Sequence, residues 1–323
     1  MKTVWVTGSS GFLGRHMARH FAAEGYDIGG IDFREMTKEE LRRGGIKHWV
    51  QGDLTRSSLE SLARLTDIPD AVFHLAGGGS VAASYENPLR DFHDNTVTTA
   101  NVLDFLRREA PGAVFILASS AAVYGVQGPG PIPEDAPPNP VSPYGFHKLM
   151  AEQLCHSATR NYGLRVMLIR FFSLYGPELR KQLLWDLASR LALNPKSVEL
   201  SGTGRETRDM FYIEDAVRLA AHLLRVEGDR AMVVNGGSGE ASTVREVASA
   251  LIRHLGVKTD VEFNGQGRKG DPENYQAEMK RAKSLGYEPK WSIEKGITEY
   301  VAWLGDIHFV KREGETRRAH GQK

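Results

Sequence analysis

One cysteine, Cys155, stands in 323 residues. A single thiol closes no intrachain disulfide, so stability has to come from packing, and such sparing use fits a reducing compartment. Excess charge of either sign is also missing. The formal net charge is +1, which leaves no broad field to draw in nucleic acid or an acidic lipid surface. Long apolar runs are absent too, and none approaches the roughly 20 residues needed to cross a bilayer. The N-terminus runs straight into a strand-like segment without a signal peptide. His16 and His20 share a helix face, but no carboxylate or cysteine cluster joins them, so no metal is expected. These absences lead to the expectation of a cytoplasmic soluble protein without nucleic-acid or membrane partners. At 41% hydrophobic the chain has ample material for a large core.

What is present begins at Thr7-Gly8-Ser9-Ser10-Gly11-Phe12-Leu13-Gly14. The apolar run Val4-Trp5-Val6 before it reads as a buried strand, and Arg15 to Ala23 after it reads as a helix. Strand, glycine turn and helix form a dinucleotide-binding unit: Gly8 for the tight turn, Gly11 for close approach of a pyrophosphate, Gly14 for close helix packing. Further strands are expected at Asp27 to Asp32, Ile46 to Val50, Ala71 to Leu75, Val114 to Ala118 and Val166 to Arg170. Amphipathic helices are expected at Asn95 to Glu109 and Tyr144 to Tyr162. This alternation predicts an α/β fold, a doubly wound parallel (Rossmann) sheet, with residues 1–171 as the NAD-binding domain. Residues 172–310 read as a smaller, mainly substrate-binding α/β domain with segments returning to the main sheet. Helices are expected there at Lys181 to Leu193, Asp215 to Arg225 and Thr243 to Leu255, the last capped by Thr243, with strands at Val198 to Leu200 and Met232 to Asn235. Gly128 to Pro140 is a proline-rich loop placed to line a site, and residues 311–323 are a charged tail.

Asp32 ends the second strand about 20 residues beyond the glycine turn, where a carboxylate grips a ribose 2′-hydroxyl and repels a 2′-phosphate. It favours NAD over NADP, although Arg34 beside it is the kind of residue that accommodates the phosphate. Asp53 and Leu54 follow the third strand and are placed for the adenine amino group and ring. Leu75, Ala76 and Gly77 end the fourth strand with side chains small enough for a cofactor to pass. His74 reads as a packed histidine.

Ser142-Pro143-Tyr144-Gly145-Phe146-His147-Lys148 is a second signal. Ser142 suits an N-cap and Pro143 a first helical position, so Tyr144 and Lys148 fall on one face. An ammonium beside a phenol favours the phenolate and so supplies a base, and Lys148 also suits the nicotinamide ribose. Ser120, just past the fifth strand, is placed to hydrogen-bond the reacting hydroxyl or carbonyl.

In this order the segments Thr7 to Gly14, Asp53-Leu54, His74 to Gly77, Ser119 to Gly125, Tyr144 to Lys148, Arg170 to Pro177, Thr207 to Asp215, Asn235 to Gly239 and Gly270-Asp271 resemble the extended short-chain dehydrogenase/reductase family, in its nucleotide-sugar epimerase and dehydratase branch. The resemblance implies that the substrate is a nucleotide-diphosphate sugar and that Arg208, Arg268 and Asp271 contact its diphosphate and ribose. Ser173 stands where the family usually has asparagine, with Arg180, Lys181 and Gln182 nearby to compensate. It also implies a homodimer in which the helices Asn95 to Glu109 and Tyr144 to Tyr162 pair across a twofold axis.

The family's shared opening move has Tyr144 take a proton from a sugar hydroxyl as hydride passes to NAD. A 4,6-dehydratase then needs an acid just after the serine, where Ala121 and Ala122 stand here. A 3,5-epimerase-reductase carries a cysteine at the position of Ala121. A 4-epimerase acting through a transient 4-keto-sugar needs only Ser120, Tyr144 and Lys148, and is the expected activity. The alternative is an NAD(P)H-dependent 4-ketoreductase using the same residues. A non-catalytic NAD sensor typically loses the tyrosine or lysine, and both are present.

Overall fold

The structure, a computed structural model, describes residues 2–194, 196–227, 231–267, 270 and 273–306. The charged tail lies outside the described residues. The strands are β1 (Thr3–Thr7), β2 (Asp27–Asp32), β3 (His48–Gln51), β4 (Ala71–His74), β5 (Val114–Ser120), β6 (Arg165–Phe171), β7 (Ser173–Tyr175), β8 (Ser197–Leu200), β9 (Thr207–Tyr212), β10 (Ala231–Gly236), β11 (Ala241–Thr243) and β12 (Asp260–Phe263). The helices are α1 (Phe12–Ala23), α2 (Lys38–Gly44), α3 (Arg56–Thr66), α4 (Val81–Glu86), α5 (Pro88–Phe92), α6 (Thr98–Glu109), α7 (Pro143–Tyr162), α8 (Gln182–Leu193), α9 (Ile213–Arg225), α10 (Val244–Leu255), α11 (Lys280–Ser284) and α12 (Ile293–Asp306).

A seven-stranded sheet with the order β10-β6-β5-β4-β1-β2-β3 forms the centre, and every pairing in it is parallel. Parallel strands need helical crossovers, which cover both faces, so these strands are apolar almost throughout. Alternate residues feed opposite cores. Val4, Val6, Phe73 and Ile116 join one apolar cluster, while Trp5, Val72, Phe115 and Leu117 join the other. Chain order reverses between β1 and β4, so the crevice beyond their carboxyl ends is the switch point where ligands of such sheets sit.

Sequence after β6 builds two small sheets, β11-β9-β7 and β12-β8, while β10 pairs with β6 at the edge of the main sheet. Thr243 caps α10 with a capping box to Glu246, and Gly256 ends that helix at φ 68°. No helix among the described residues is long and apolar enough to cross a membrane.

The helix expected to begin at Asn95 starts earlier. Asn87 caps α5 through Arg90 N–H, and the chain passes through a wide π-turn, His93–Val97, into α6. The cause is local. The Asn95 side-chain amide donates to the Asp91 carbonyl at 3.0 Å, the acceptor that the Asn95 backbone N–H would use in a regular helix. A side chain inserted into the ladder widens the turn and aims both residues inward.

Candidate active site

The glycine turn is built by close backbone approach. Gly8 adopts φ 67°, and a Cβ there would meet Ala76 N at 2.7 Å. A Cβ on Gly14 would stand 2.1 Å from the Gly8 carbonyl oxygen, so α1 reaches the turn only because residue 14 has no side chain. Gly11 is exposed and a Cβ on it would meet only Gly8 O, which leaves the turn open outward. Gly11 also caps α1 without a side chain, so the first N–H groups and the positive helix end face the crevice. Phe12 and Leu13 open that helix, with Leu13 packed inward.

Asp32 is 8% exposed and lies beside the turn. Its Oδ2 accepts Ser10 N–H at 3.0 Å and its Oδ1 accepts Arg34 N–H at 3.0 Å. The Arg34 guanidinium is paired with Glu40 at 2.9 Å. Asp53 holds the N–H of Leu54 at 2.8 Å and keeps its Oδ2 3.6 Å from His93 Nε2. Leu75 and Ala76 both donate backbone N–H to Thr7 Oγ1 at 3.2 Å, which joins the ends of β1 and β4. Thr7 then donates to His74 Nδ1 at 2.9 Å, and His74 Nε2–H donates to Thr99 Oγ1 at 3.0 Å. Thr99 passes its own proton to the Asn95 carbonyl at 2.7 Å, which fixes this tautomer. Burial pulls His74 down to about 3, with the Lys148 charge adding to it, so His74 stays neutral and structural.

The pieces fit a dinucleotide. Two buried polar atoms beside the turns, Ser9 Oγ and Asn95 Oδ1, have no hydrogen-bond partner among the described residues. Asn95 Oδ1 lies so close to Gly77 that a Cβ there would come within 2.5 Å, and Gly77 sits at φ 139°. Sequence reasoning did not single out Asn95. Only the π-turn aims it here, and no local pattern marks that turn.

The second constellation lies at the end of β5. Ser142 Oγ accepts Gly145 N–H at 3.2 Å, Pro143 opens α7, and Gly163 closes it at φ 73°. Ser84 Oγ, on α4, accepts the Tyr144 N–H at 3.1 Å. Lys148 Nζ donates to the Ala118 carbonyl at 2.8 Å and stands 5.9 Å from the Tyr144 ring centre. Ser120 Oγ accepts Ala122 N–H at 3.1 Å and its hydroxyl faces the phenol. Burial pushes the Tyr144 phenol up to about 12; the Ser120 contact lowers it and the Asp91 charge raises it. Burial pulls Lys148 down to about 8, with the Asp91 and Glu152 carboxylates opposing that fall. The resting pair at neutral pH is therefore a neutral phenol beside an ammonium. Beneath it Glu152 is held by Arg170 at 2.7 and 3.0 Å and by Ser119 at 2.5 Å, a buried ion pair with its oxygens satisfied.

On the opposite wall, β7 and β9 place Ser173 opposite Met210, with Arg208 two residues earlier on β9. The Arg208 guanidinium lies 6.0 Å from the Tyr275 ring, whose hydroxyl donates to the Ala121 carbonyl at 3.1 Å. Tyr275, another residue that the sequence did not single out, thus ties this wall to the end of β5. Arg180 packs between Trp185 and Trp303, 5.8 Å from each ring, rather than into the crevice. Lys181 reaches the loop after β4, since a Cβ on Gly79 would stand 3.4 Å from its Nζ. Arg268 and Asp271 lie outside the described residues. His16 bonds the Pro177 carbonyl at 3.2 Å and His20 lies 3.4 Å from Glu24.

A doubly wound sheet with a bare glycine turn at its switch point and a Ser-Tyr-Lys set at the next strand end defines a dinucleotide-dependent enzyme of the extended short-chain dehydrogenase/reductase type. The profile of the NAD dependent epimerase/dehydratase family matches residues 4–237, and the chain belongs to that family. It is an NAD-dependent epimerase of this type. The UDP-glucuronate 4-epimerase of Thermodesulfobacterium geofontis is 30% identical over 319 residues, covering 95% of this chain and 97% of that one. The crystal structure of a Thermotoga maritima UDP-glucose 4-epimerase with UDP-glucose superposes with a TM-score of 0.86 at 28% identity, over 95% of this chain and 99% of the other. A Bacillus cereus UDP-glucuronic acid 4-epimerase, in complex with UDP-glucuronic acid and NAD, gives 0.84 at 27%, over 94% and 99%.

Proposed function

We propose that this enzyme inverts C4 of a uridine-diphosphate sugar through a transient 4-keto-sugar, with Tyr144 as the base. The observation that carries this reading is the content of the site at the end of β5: Ser120, Tyr144 and Lys148 converge, while Ala121 and Ala122 stand where elimination would need an acid.

Tyr144 takes the proton of the sugar hydroxyl and later returns it, and Ser120 donates a hydrogen bond to the oxygen as it becomes a carbonyl. Lys148 holds a positive charge one helical turn away, which stabilises the phenolate. Asp32 and the open turn at Gly8, Gly11 and Gly14, with Phe12 and Leu13 behind it, hold the ribose and diphosphate of NAD. Asp53 and Leu54 flank its adenine, and Leu75, Ala76 and Gly77 leave room for its passage. When bound, NAD accepts and returns the hydride and adds positive charge near the phenol. No further acid is required: the keto-sugar turns in its pocket and presents the other face of C4, and the same phenol returns the proton.

Incubating the enzyme with UDP-glucose, UDP-glucuronate and their amino-sugar counterparts, with no reductant added, tests the proposal. Two C4 epimers interconvert without net NADH. A demand for stoichiometric reduced cofactor and a keto-sugar would establish the ketoreductase instead.

Ser173, Arg208, Arg268 and Asp271 bind the nucleotide diphosphate. The Arg208 position across from β5 supports this, and a guanidinium suits phosphate oxygens. Arg208→Ala is expected to weaken UDP-sugar binding by roughly 10–100-fold, the equivalent of a charge-assisted hydrogen bond, with NAD affinity unchanged. Calorimetry with each ligand checks it, and equal losses would remove Arg208 from the substrate wall.

The working form is a homodimer paired through α6 and α7. Phe146 and Met150, four apart on α7, are 49% and 44% exposed, more than apolar side chains on a lone helix face require. Sedimentation at micromolar concentration is expected to give twice the chain mass, and a monomer there would count against the pairing.

A further inference from the structure

Asp91 is a buried carboxylate that the proton transfer does not use. It lies on α5 and is 7% exposed. Its Oδ2 accepts His147 Nδ1–H at 2.6 Å and its Oδ1 accepts Asn95 Nδ2–H at 3.1 Å. Oδ1 is pressed against the turn after β4, since a Cβ on Gly78 would come within 2.6 Å of it. His147 directly precedes Lys148 on α7. Its carbonyl accepts Thr96 Oγ1–H at 3.1 Å, and its ring meets Phe92 edge-on. The carboxylate therefore grips α7 at the turn that carries both Tyr144 and Lys148.

The other charged and titratable groups around Lys148 are already committed. Glu152, one turn further along α7, is neutralised by Arg170 of β6. Cys155 is a thiol that burial pushes well up, so it carries no charge. His74 on β4 is neutral. On the side of α5, Arg90 is paired with Asp94 at 2.8 Å. Among the described residues Asp91 is left as the negative charge facing Lys148 whose partner, a histidine, carries charge only when protonated.

We infer that Asp91, held in place by His147, is the counter-charge that keeps Lys148 an ammonium in the buried site, and that the pair sets the pH range in which Tyr144 works. Both are positioning residues, and the inference rests on Tyr144 and Lys148 being the catalytic pair.

The sign follows from the charges. The Asp91 carboxylate raises the affinity of both Tyr144 and Lys148 for their protons. Removing it lets both titrate at lower pH.

The test is the pH profile of kcat for the full-length, NAD-loaded enzyme, with UDP-glucose and UDP-glucuronate as probes. Asp91→Asn is expected to move both limbs of the bell down by about one pH unit, the scale of one nearby opposite charge. Bound NAD, read by absorbance, stays at the wild-type level. His147→Gln keeps a donor on Asp91 and so keeps the carboxylate in place, and both limbs stay at their wild-type positions. His147→Leu removes the donor, releases the carboxylate, and moves both limbs down as Asp91→Asn does. A packing role lowers the height of the bell without moving it. An Asp91→Asn profile that superimposes on wild type after scaling overturns the inference. So does a His147→Leu profile whose limbs stay put, which decides the matter even if Asp91→Asn does not fold. Tyr144→Phe separates the underlying reading: full turnover in that variant removes the catalytic pair, whatever the Asp91 profiles show.

Discussion

Tyr144→Phe is expected to retain NAD and to lose about 10²–10⁴-fold in kcat, the contribution of a positioned general base. The substitution removes one oxygen from a side chain that is 9% exposed. The ring keeps its packing, the backbone N–H keeps Ser84 Oγ, and Lys148 keeps the Ala118 carbonyl. The turns proposed to hold the ribose and diphosphate follow β1 and β4, and Lys148 is untouched, so nucleotide retention is expected to hold. The loss falls on the chemical step because the oxygen removed is the one that meets Ser120. In the wild type, turnover rises with pH as the phenol, pushed up to about 12 in the unliganded enzyme, is brought down by bound positive charge. It falls again as Lys148 loses its proton above about 8. Epimer interconversion followed by anion-exchange chromatography, with NAD content read after gel filtration, checks both halves. Near-normal turnover with NAD retained would assign the proton to another group.

Gly14→Ala is expected to yield a protein that no longer retains NAD. The added Cβ would stand 2.1 Å from the Gly8 carbonyl oxygen and 2.9 Å from Ser9 Cα, all main-chain atoms that cannot swing aside. α1 has to back away from the turn, and its open N-terminus loses its aim at the diphosphate. Overpacking of this kind costs about 1–3 kcal/mol, so NAD affinity falls by roughly 10–100-fold and the melting temperature drops with it. Titration of the apo-protein with NAD and a thermal melt measure the two effects. Wild-type affinity would mean that the turn tolerates a wider helix and that Gly14 is not the contact point of α1.

Much of this site was legible from one-dimensional pattern. Thr7 to Gly14 announces a strand, a turn of positive φ and a bare helix start, because only glycine meets those backbone demands. Ser142 and Pro143 announce the start of α7, and helical spacing alone puts Tyr144 and Lys148 on one face. The sequence marks His74 as a packed histidine, and its relay from Thr7 to Thr99 bears that out. Asn95, Asp91 and Tyr275 were not legible. Asn95 and Asp91 turn inward because a side-chain amide displaces a backbone bond, an event without a compositional mark. Tyr275 reaches Ala121 across 154 residues of chain.

By itself the sequence determined the parallel sheet and the glycine turn, and it pointed to Asp32 for an unphosphorylated ribose and, through Ala121 and Ala122, to a chemistry with one base. Those follow from local rules: backbone sterics, apolar periodicity, capping and side-chain type. The tertiary structure decided which groups share an interior. It set Asp91 against His147 beside the turn of α7 that carries Tyr144 and Lys148, paired Arg34 with Glu40, packed Arg180 between two tryptophans, and drove the Tyr144 and Lys148 proton affinities apart, the phenol up and the ammonium down. Burial and through-space charge depend on what lies near in three dimensions, and no spacing along the chain encodes them.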